Sequence, residues 1–505
     1  MQLARKFSLV AKVLRNRLAL TGVIIILVFL ILAIFAPLLT NANPVYSQEL
    51  ASPYSPPQWA TIFPPYSGLP VNTQYFQQGD FKSPSSTMLW KYAPINGSSN
   101  TLYEWNSKIG PINAEADSYD LANTGPGSLE ILLSNNQSSS STRSFSLTRS
   151  FEYRFKPPQR FRLGFYATTN ATTPVDTTVG ITISSSNRTY ALMEQGDFQL
   201  SSTTWTHVTA DSYSTPVKLL VAPQNLLANV ASTVFQSEGN YTVTINIKAT
   251  ALPAGTTSFF ISDTMFFVFG SVYGKLGTDD LGRSVWSQFV YGARISLAVG
   301  LFAAAIVIVL ASMIGVVSGF YGGWVDQTLM RLNDLLLTIP LLPLLLVLIL
   351  VIDISGLKID TEELIVLLIG FLGWEVYARV IRSQVLSIKE RTFVNVARTL
   401  GVKPRTIIRR HIMPNVVGLI YALLAEAVPT AILLEAALSF LGFYDPNVIS
   451  WGRMLGEAQS VATVPTYGFV WWWFLPPGLA IALVSVSFIF IGHALDEVFN
   501  PKIVK

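Results

Sequence analysis

Nothing in this chain groups the parts of an enzyme. It has no cysteine, which removes disulfides, thiolate catalysis and zinc–thiolate sites together. Its three histidines, His207, His411 and His493, are scattered, so a histidine-built metal centre is not expected. No GxxxxGK[ST] run offers a grip on ATP phosphates, and no nucleophile, base and oxyanion donors come together. The residues able to do work are of two other kinds. The first are ionisable groups inside or beside apolar runs, where a charge is costly and marks a cavity or a partner. Glu426 and Glu435 stand nine residues apart in one such run. They are half a helical turn out of phase, so both cannot face the same pore. Asp334 with Arg331, and Glu375 with Arg379, have the spacing of ion pairs on one helix. For each of these, packing or pairing is the preferred reading. The second kind is a basic loop, NVARTLGVKPRTIIRRHIMPN at 395–415, in which Gly401 separates two short helical patterns. Pro404 falls one residue inside the second, where its missing N–H does no harm. Ile407, Ile408 and Ile412 share one face, with Arg405, Arg409 and Arg410 projecting elsewhere. Such an element fits a groove of a soluble partner, or is simply a basic loop; periodicity alone leaves these even.

The elements that must hold these residues are apolar. Of 505 residues, 50% are hydrophobic and only 13% charged, against about 25% in soluble domains. Residues 18–39 form a charge-free run long enough to cross a bilayer, and too long for a cleaved signal. Further spans are expected at 295–318, 335–352, 364–386, 415–441 and 470–492. Arg5, Lys6, Lys12, Arg15 and Arg17, with no acid among residues 1–17, place the N-terminus in the cytoplasm. Counting spans from there puts the basic stretch 379–411 on the same side. Residues 41–275 hold thirteen Lys/Arg against fourteen Asp/Glu, so the positive excess reports topology and argues against nucleic-acid binding. Trp471, Trp472 and Trp473 suit an interfacial belt opening the last span.

The polar middle divides into a Pro/Tyr/Ser-rich strap at 41–119 and alternating runs over 120–270. Those runs, at 128–133, 144–155, 161–167, 178–184, 205–210, 217–222, 240–248 and 257–269, predict a β-sandwich of the jelly-roll kind. Five N-x-[ST] sequons, at Asn96, Asn136, Asn170, Asn187 and Asn240, all lie in this segment and predict an extracellular, glycosylated domain. Trp59, Trp90, Trp105 and Trp205 have the chemistry to stack on sugar rings, but packing is the preferred reading.

GTDDLGRSVWSQFVYGARISL at 277–297 reads physically as an interfacial helix before a span. As a string it resembles the opening of the second span in C-type permeases of the dipeptide/oligopeptide ABC importers. The 395–415 loop is similar to that family's EAA motif, the coupling helix that docks on the ATPase. Ala397 matches the second alanine, Gly401 the glycine, and HIMPN, with Pro414, the usual ending. Asn395 stands where glutamate is usual and Val396 where the first alanine is usual, which puts in doubt any contact specific to that carboxylate. WVDQTLMRLNDLLLTIPLLPL, ILLEAALSFLGF, SWGRMLGEAQ and GHALDEVFNPK keep the family's order, and the resemblance covers about half the chain, with 41–275 outside it.

The resemblance implies a mainly α polytopic membrane protein with about six transmembrane helices, an ABC type I importer permease fold, and an extracellular all-β insert. The organisation would be a cytoplasmic 1–17, a first span at 18–39, the insert at 41–275, and a core at 276–505 containing a coupling loop at 389–412. Asn395, Val396, Ala397, Leu400, Gly401, Arg405, Ile408 and Pro414 would couple to the ATPase. The partners implied are a homologous B-type permease, two ABC ATPase subunits, an extracellular solute-binding protein and membrane lipid. ATP and Mg would be used by the ATPase subunits, with no cofactor on this chain. Oligosaccharides are the alternative cargo to oligopeptides, and the sequons of a cysteine-free ectodomain fit an archaeal surface. The strand rhythm YTVTINIKA then FFISDTMFFVF is similar to that of carbohydrate-binding modules, which raises a rival of another class, a sugar-sensing receptor. A secondary transporter working alone is a further rival.

Overall fold

A computed structural model describes residues 15–76, 81, 83–96, 102–109, 127–135, 141–202, 204–252, 254–462 and 470–499. The chain forms two compact units, Met1–Tyr46 with Val285–Lys505, and Ser47–Ser284.

The first unit is helical. Among the described residues, five stretches are long and apolar enough to cross a membrane: Arg17–Ile34, Val285–Tyr321, Thr361–Lys389, Pro404–Phe440 and Trp471–Phe499. We number the helices α1 (Arg17–Ile34), α2 (Val285–Tyr321), α3 (Gly323–Thr338), α4 (Leu341–Ile354), α5 (Thr361–Leu372), α6 (Glu375–Lys389), α7 (Thr392–Thr399), α8 (Pro404–Ile407), α9 (Met413–Phe440), α10 (Trp451–Ala462) and α11 (Trp471–Phe499). The straight span expected at 335–352 is not formed. Pro340 pushes the preceding Ile339 into the extended region, at φ −90° and ψ 123°, and α3 and α4 meet there at 86°. The span expected at 364–386 is likewise interrupted, at Gly373–Trp374 between α5 and α6. Its buried core includes Val299, Ala303, Leu345, Ile365, Ile369 and Leu438. α6 packs closely along the end of α2, where a Cβ on Gly315 would stand 2.6 Å from the Ala378 carbonyl oxygen. Trp472 and Trp473 are turned inward and buried, not spread in a lipid-facing belt.

The second unit contains two antiparallel sheets. Its strands are β1 (Thr73–Phe76), β2 (Lys91–Asn96), β3 (Leu102–Asn106), β4 (Ser128–Asn135), β5 (Ser141–Tyr153), β6 (Arg160–Thr169), β7 (Val175–Ser184), β8 (Thr189–Leu200), β9 (Thr206–Asp211), β10 (Gly239–Leu252) and β11 (Gly255–Phe269). One sheet runs β3-β4-β11-β6-β9 with β1 added on β11; the other runs β2-β5-β10-β7-β8. Both contribute to one core, rich in Phe145, Phe161, Phe235, Ile245, Phe259 and Phe266. Three expectations fail here. The strap at 41–119 is not wholly irregular, since it supplies β1, β2 and β3. The run at 217–222 is not a strand, because Pro216 starts a helix at Thr215–Val221. β8 is not among the expected runs; Glu194, Gly196 and Asp197 interrupt its apolar alternation, and the sheet absorbs them with irregular pairing against Val179 and Ile181.

The two chain ends of this unit are bonded to each other. The amides of Glu49, Leu50 and Tyr54 donate to the carbonyls of Leu281, Gly282 and Asp279 at 2.8, 2.9 and 2.9 Å. Gly282 has φ +71°, and a Cβ there would lie 2.5 Å from the Ala51 carbonyl oxygen. Residues 277–284 are therefore a turn that closes this unit, and the expected interfacial helix begins only at Val285.

Candidate functional site

The glycine-broken loop is ordered by local chemistry. Leu400 caps α7, and the turn beyond it is a Schellman motif. Val402 N–H reaches the Ala397 carbonyl at 3.1 Å, and Gly401 N–H the Arg398 carbonyl at 3.0 Å. Gly401 takes φ +72°, a conformation that disfavours a β-branched side chain. Val394 and Ala397 face inward, while Phe393, Val396 and Leu400 form one exposed stripe, with Leu400 76% exposed. Asn395 is exposed and its Nδ2 donates to the Glu390 carbonyl at 3.3 Å. The Arg398 guanidinium lies 5.1 Å over the Phe320 ring at the end of α2.

α8 opens on Pro404 but is not a separate short helix. It passes through one π-turn, Ile408–Ile412, directly into α9. The cause is Pro414, exposed in the first turn of α9, which has no N–H to continue the ladder. Asn415 Nδ2 donates to the His411 carbonyl at 2.7 Å. Ile407 and Ile412 are buried and Ile408 half-buried, with Arg405, Arg409 and Arg410 exposed. Nearby, the expected pairs on one helix are replaced by pairs between helices. Arg379 meets Asp334 at 2.5 Å, and Arg382 meets Asp326 through two contacts of 2.5 and 2.6 Å. The packing of α6 beside α3 brings these side chains closer than neighbours on their own helices.

The acids of α9 separate as their phase requires. Glu435 is fully buried, and its Oε1 accepts from the hydroxyls of Ser439 and Ser450 at 2.9 and 2.6 Å. Glu362, which reads in sequence as an ordinary acid in a helix's first turn, is also buried. Neither of its oxygens is satisfied by a hydrogen bond, and only the Asp445 amide approaches. Arg453 is pinned by Glu457 at 2.8 Å and by the carbonyls of Pro446 and Val448 at 2.7 and 2.9 Å. Glu426 is instead exposed and lines two cavities, of 360 and 520 Å³. Sequence reasoning identified its depth but not the cavities, the first of which is walled by the break at Pro340 and the second by α11.

The sequons fall in the β unit. Asn170, Asn187 and Asn240 are exposed, and the last two line one polar cleft. Asn96 closes β2, and Asn136 lies outside the described residues. Trp90 is buried; Trp59 is 44% exposed and its Nε1 donates to the Lys275 carbonyl at 2.8 Å.

The sequence model of the family described as the binding-protein-dependent transport system inner membrane component matches residues 311–505. That of the N-terminal TM domain of oligopeptide transport permease C matches residues 9–57. The chain is 34% identical over 228 residues to the dipeptide transport system permease protein DppC of Alkalihalophilus pseudofirmus, covering 45% of this chain and 71% of the relative. It is 36% identical over 230 residues to the oligopeptide transport system permease protein OppC of Bacillus subtilis, covering 45% and 72%. This chain belongs to the C-type permeases of the dipeptide/oligopeptide ABC importers. The permease is therefore a multi-pass membrane protein and not an enzyme, since its relatives are permease subunits without an ATPase of their own. Another relative, the glutathione transport system permease protein GsiD of Pectobacterium atrosepticum, is 32% identical over 229 residues, covering 45% of the permease and 72% of the relative. Likenesses to solved structures are faint. The inward-facing MetNI methionine ABC transporter gives a TM-score of 0.34 at 16% identity, covering 42% of the permease and 95% of that chain. TmCBM61 in complex with β-1,4-galactotriose gives 0.22 at 12% identity, covering 39% and 99%.

Proposed function

We propose that the permease is one half of the membrane channel of an ATP-driven importer for oligopeptides or related solutes. A B-type permease would supply the other half, two ABC ATPase subunits the power, and an extracellular binding protein the cargo. The observation that carries this reading is the exposed stripe Phe393, Val396 and Leu400 beside the Gly401 turn. An apolar knob on a basic loop suits a groove on a soluble partner. Its neighbour α8 is continuous with α9, so a push on the loop travels along one helix into the span. ATP-driven closure would then bias the permease pair between outward and inward openings. Both termini would be cytoplasmic.

The β unit, in this reading, is an extracellular jelly roll that docks the binding protein or caps the pore, glycosylated at Asn170, Asn187 or Asn240. Glycopeptide mass spectrometry tests the modification. Removing residues 47–284 should impair uptake more than assembly, and undiminished uptake would exclude the docking role.

The central test is Gly401→Val in the assembled transporter. A β-branched residue at positive φ costs roughly 1–2 kcal/mol, so uptake should fall by about tenfold or more while membrane insertion and ATPase turnover persist. Unchanged uptake, or a purified permease that never brings down ATPase subunits, would sink the assignment.

A further inference from the structure

Glu426 occupies the middle of the 28-residue α9 and opens on two cavities. A carboxylate at that depth is expensive unless it meets water, a proton or a cation. The first cavity is walled by Pro340, at the 86° bend between α3 and α4, and by Gly373, at the junction of α5 and α6. Irregular backbone at membrane depth is tolerated where it is buried in protein or lines an aqueous space. Glu375 stands in the same wall, only 7% exposed, and its carboxylate accepts from its own amide alone. Tyr377 on α6 meets Thr430 and stands in the same wall as Glu426. The second cavity adds His493 and Asp496 from α11. Among the described residues neither lining contains a lysine or arginine.

We propose that Glu426, backed by Glu375, is a mid-membrane subsite for a protonated amine of the solute. The two breaks give the amine a polar, partly hydrated path, and Glu426 replaces part of its water shell. The attraction is local and weak enough to release, because Glu426 remains open to both cavities. Glu435, buried and bonded to two serines, takes no part. The amine is the α-amino group of a peptide or the side chain of a basic residue; that identity rests on the peptide-importer reading, whereas the cation subsite does not.

The test uses the complete transporter, with its second permease and ATPases, in detergent or proteoliposomes. Dicyclohexylcarbodiimide labelling of Glu426 is followed by peptide mass spectrometry with and without n-butylammonium, trialanine, N-acetyl-trialanine amide or N-acetyl-Ala-Lys-Ala amide. Saturating n-butylammonium should slow labelling by about tenfold, and the neutral acetylated amide should not. Protection by trialanine assigns the α-amino group; protection by the acetylated lysine peptide assigns the side chain. Equal labelling under all conditions, or equal protection by the neutral amide, overturns the proposal. In transport, Glu426→Gln should lower the ratio of trialanine to N-acetyl-trialanine amide uptake by about tenfold. An unchanged ratio would mean a packing role and overturn it. A transporter that moves no peptide, yet whose Glu426 is protected by n-butylammonium, would defeat the peptide reading and leave the subsite standing.

Discussion

The two units treat buried charge in opposite ways. In the β unit Arg160 and Arg162 grip Glu49 and Asp211 from four sides, at 2.6–3.0 Å for the closest contacts. Phe269 lies 4.7 Å beneath the Arg160 guanidinium. Every charge in that cluster is answered within the unit. In the helical unit both oxygens of Glu362 and one of Glu435 go without a hydrogen bond, and Glu426 opens on cavities. The apolar surface differs in the same sense. Helical residues such as Leu301, Phe302, Val309 and Leu335 are more than half exposed, as suits a surface made for lipid or another protein. The β unit is finished by its own chain, whereas the helical unit is built to be completed by its surroundings.

The sharpest way to break this contrast is at Asp211. Asp211→Ala leaves two buried arginines short of a partner and should destabilise an excised 47–284 segment by about 3–5 kcal/mol in denaturant unfolding. A loss below ~1 kcal/mol would show the cluster to be idle. The same cluster predicts a pH dependence. Burial works to raise the Asp211 carboxyl, but the hydrogen bonds and charge of Arg160 outweigh it and hold the group below its ordinary range. A depressed carboxyl contributes stability that is complete above its unfolded value of about 3.9 and is lost as pH falls through the folded value. The stability difference between the segment and its Asp211→Asn variant should therefore be constant above that point and shrink in stronger acid. A difference that grows on acidification would contradict the pairing.

Smaller effects are expected in the helical unit. Glu435→Gln keeps the shape but weakens two hydroxyl bonds, and should lower the stability of the purified permease by roughly 1–3 kcal/mol. Leu400→Ser should change stability by less than about 0.5 kcal/mol, because that side chain is mostly exposed. It should still reduce the ATPase recovered on co-purification, which is the readout that separates a knob from an accident of exposure.

The legible parts of this molecule are those governed by short-range rules. The apolar runs at 18–39, 295–318, 415–441 and 470–492 fall on long apolar helices, and the glycine between two periodic patterns falls at the 401 turn. Residues whose role depends on distant neighbours were not legible. Arg379 chose Asp334 over its own helix because α6 lies against α3. Glu362 draws no notice in the sequence, because its burial near Asp445 and Arg453 leaves no local signature. Pro340 was visible in the string, yet within a run of leucines its effect on direction was outweighed by hydropathy. β8 was hidden by a polar interruption that its partner strand tolerates. Of the cavities around Glu426, one joins both helix junctions to α9 and the other joins α9 to α11, and no single window contains either set.

The paired inbound and outbound backbone at Glu49–Tyr54 and Gly270–Gly282 has an evolutionary consequence. A domain whose two ends are stitched side by side occupies little more of a host loop than a hairpin would. It can be transplanted or excised as a cassette without pulling the flanking segments apart. Such a module can be exchanged for another, or dispensed with, at the cost of one short junction.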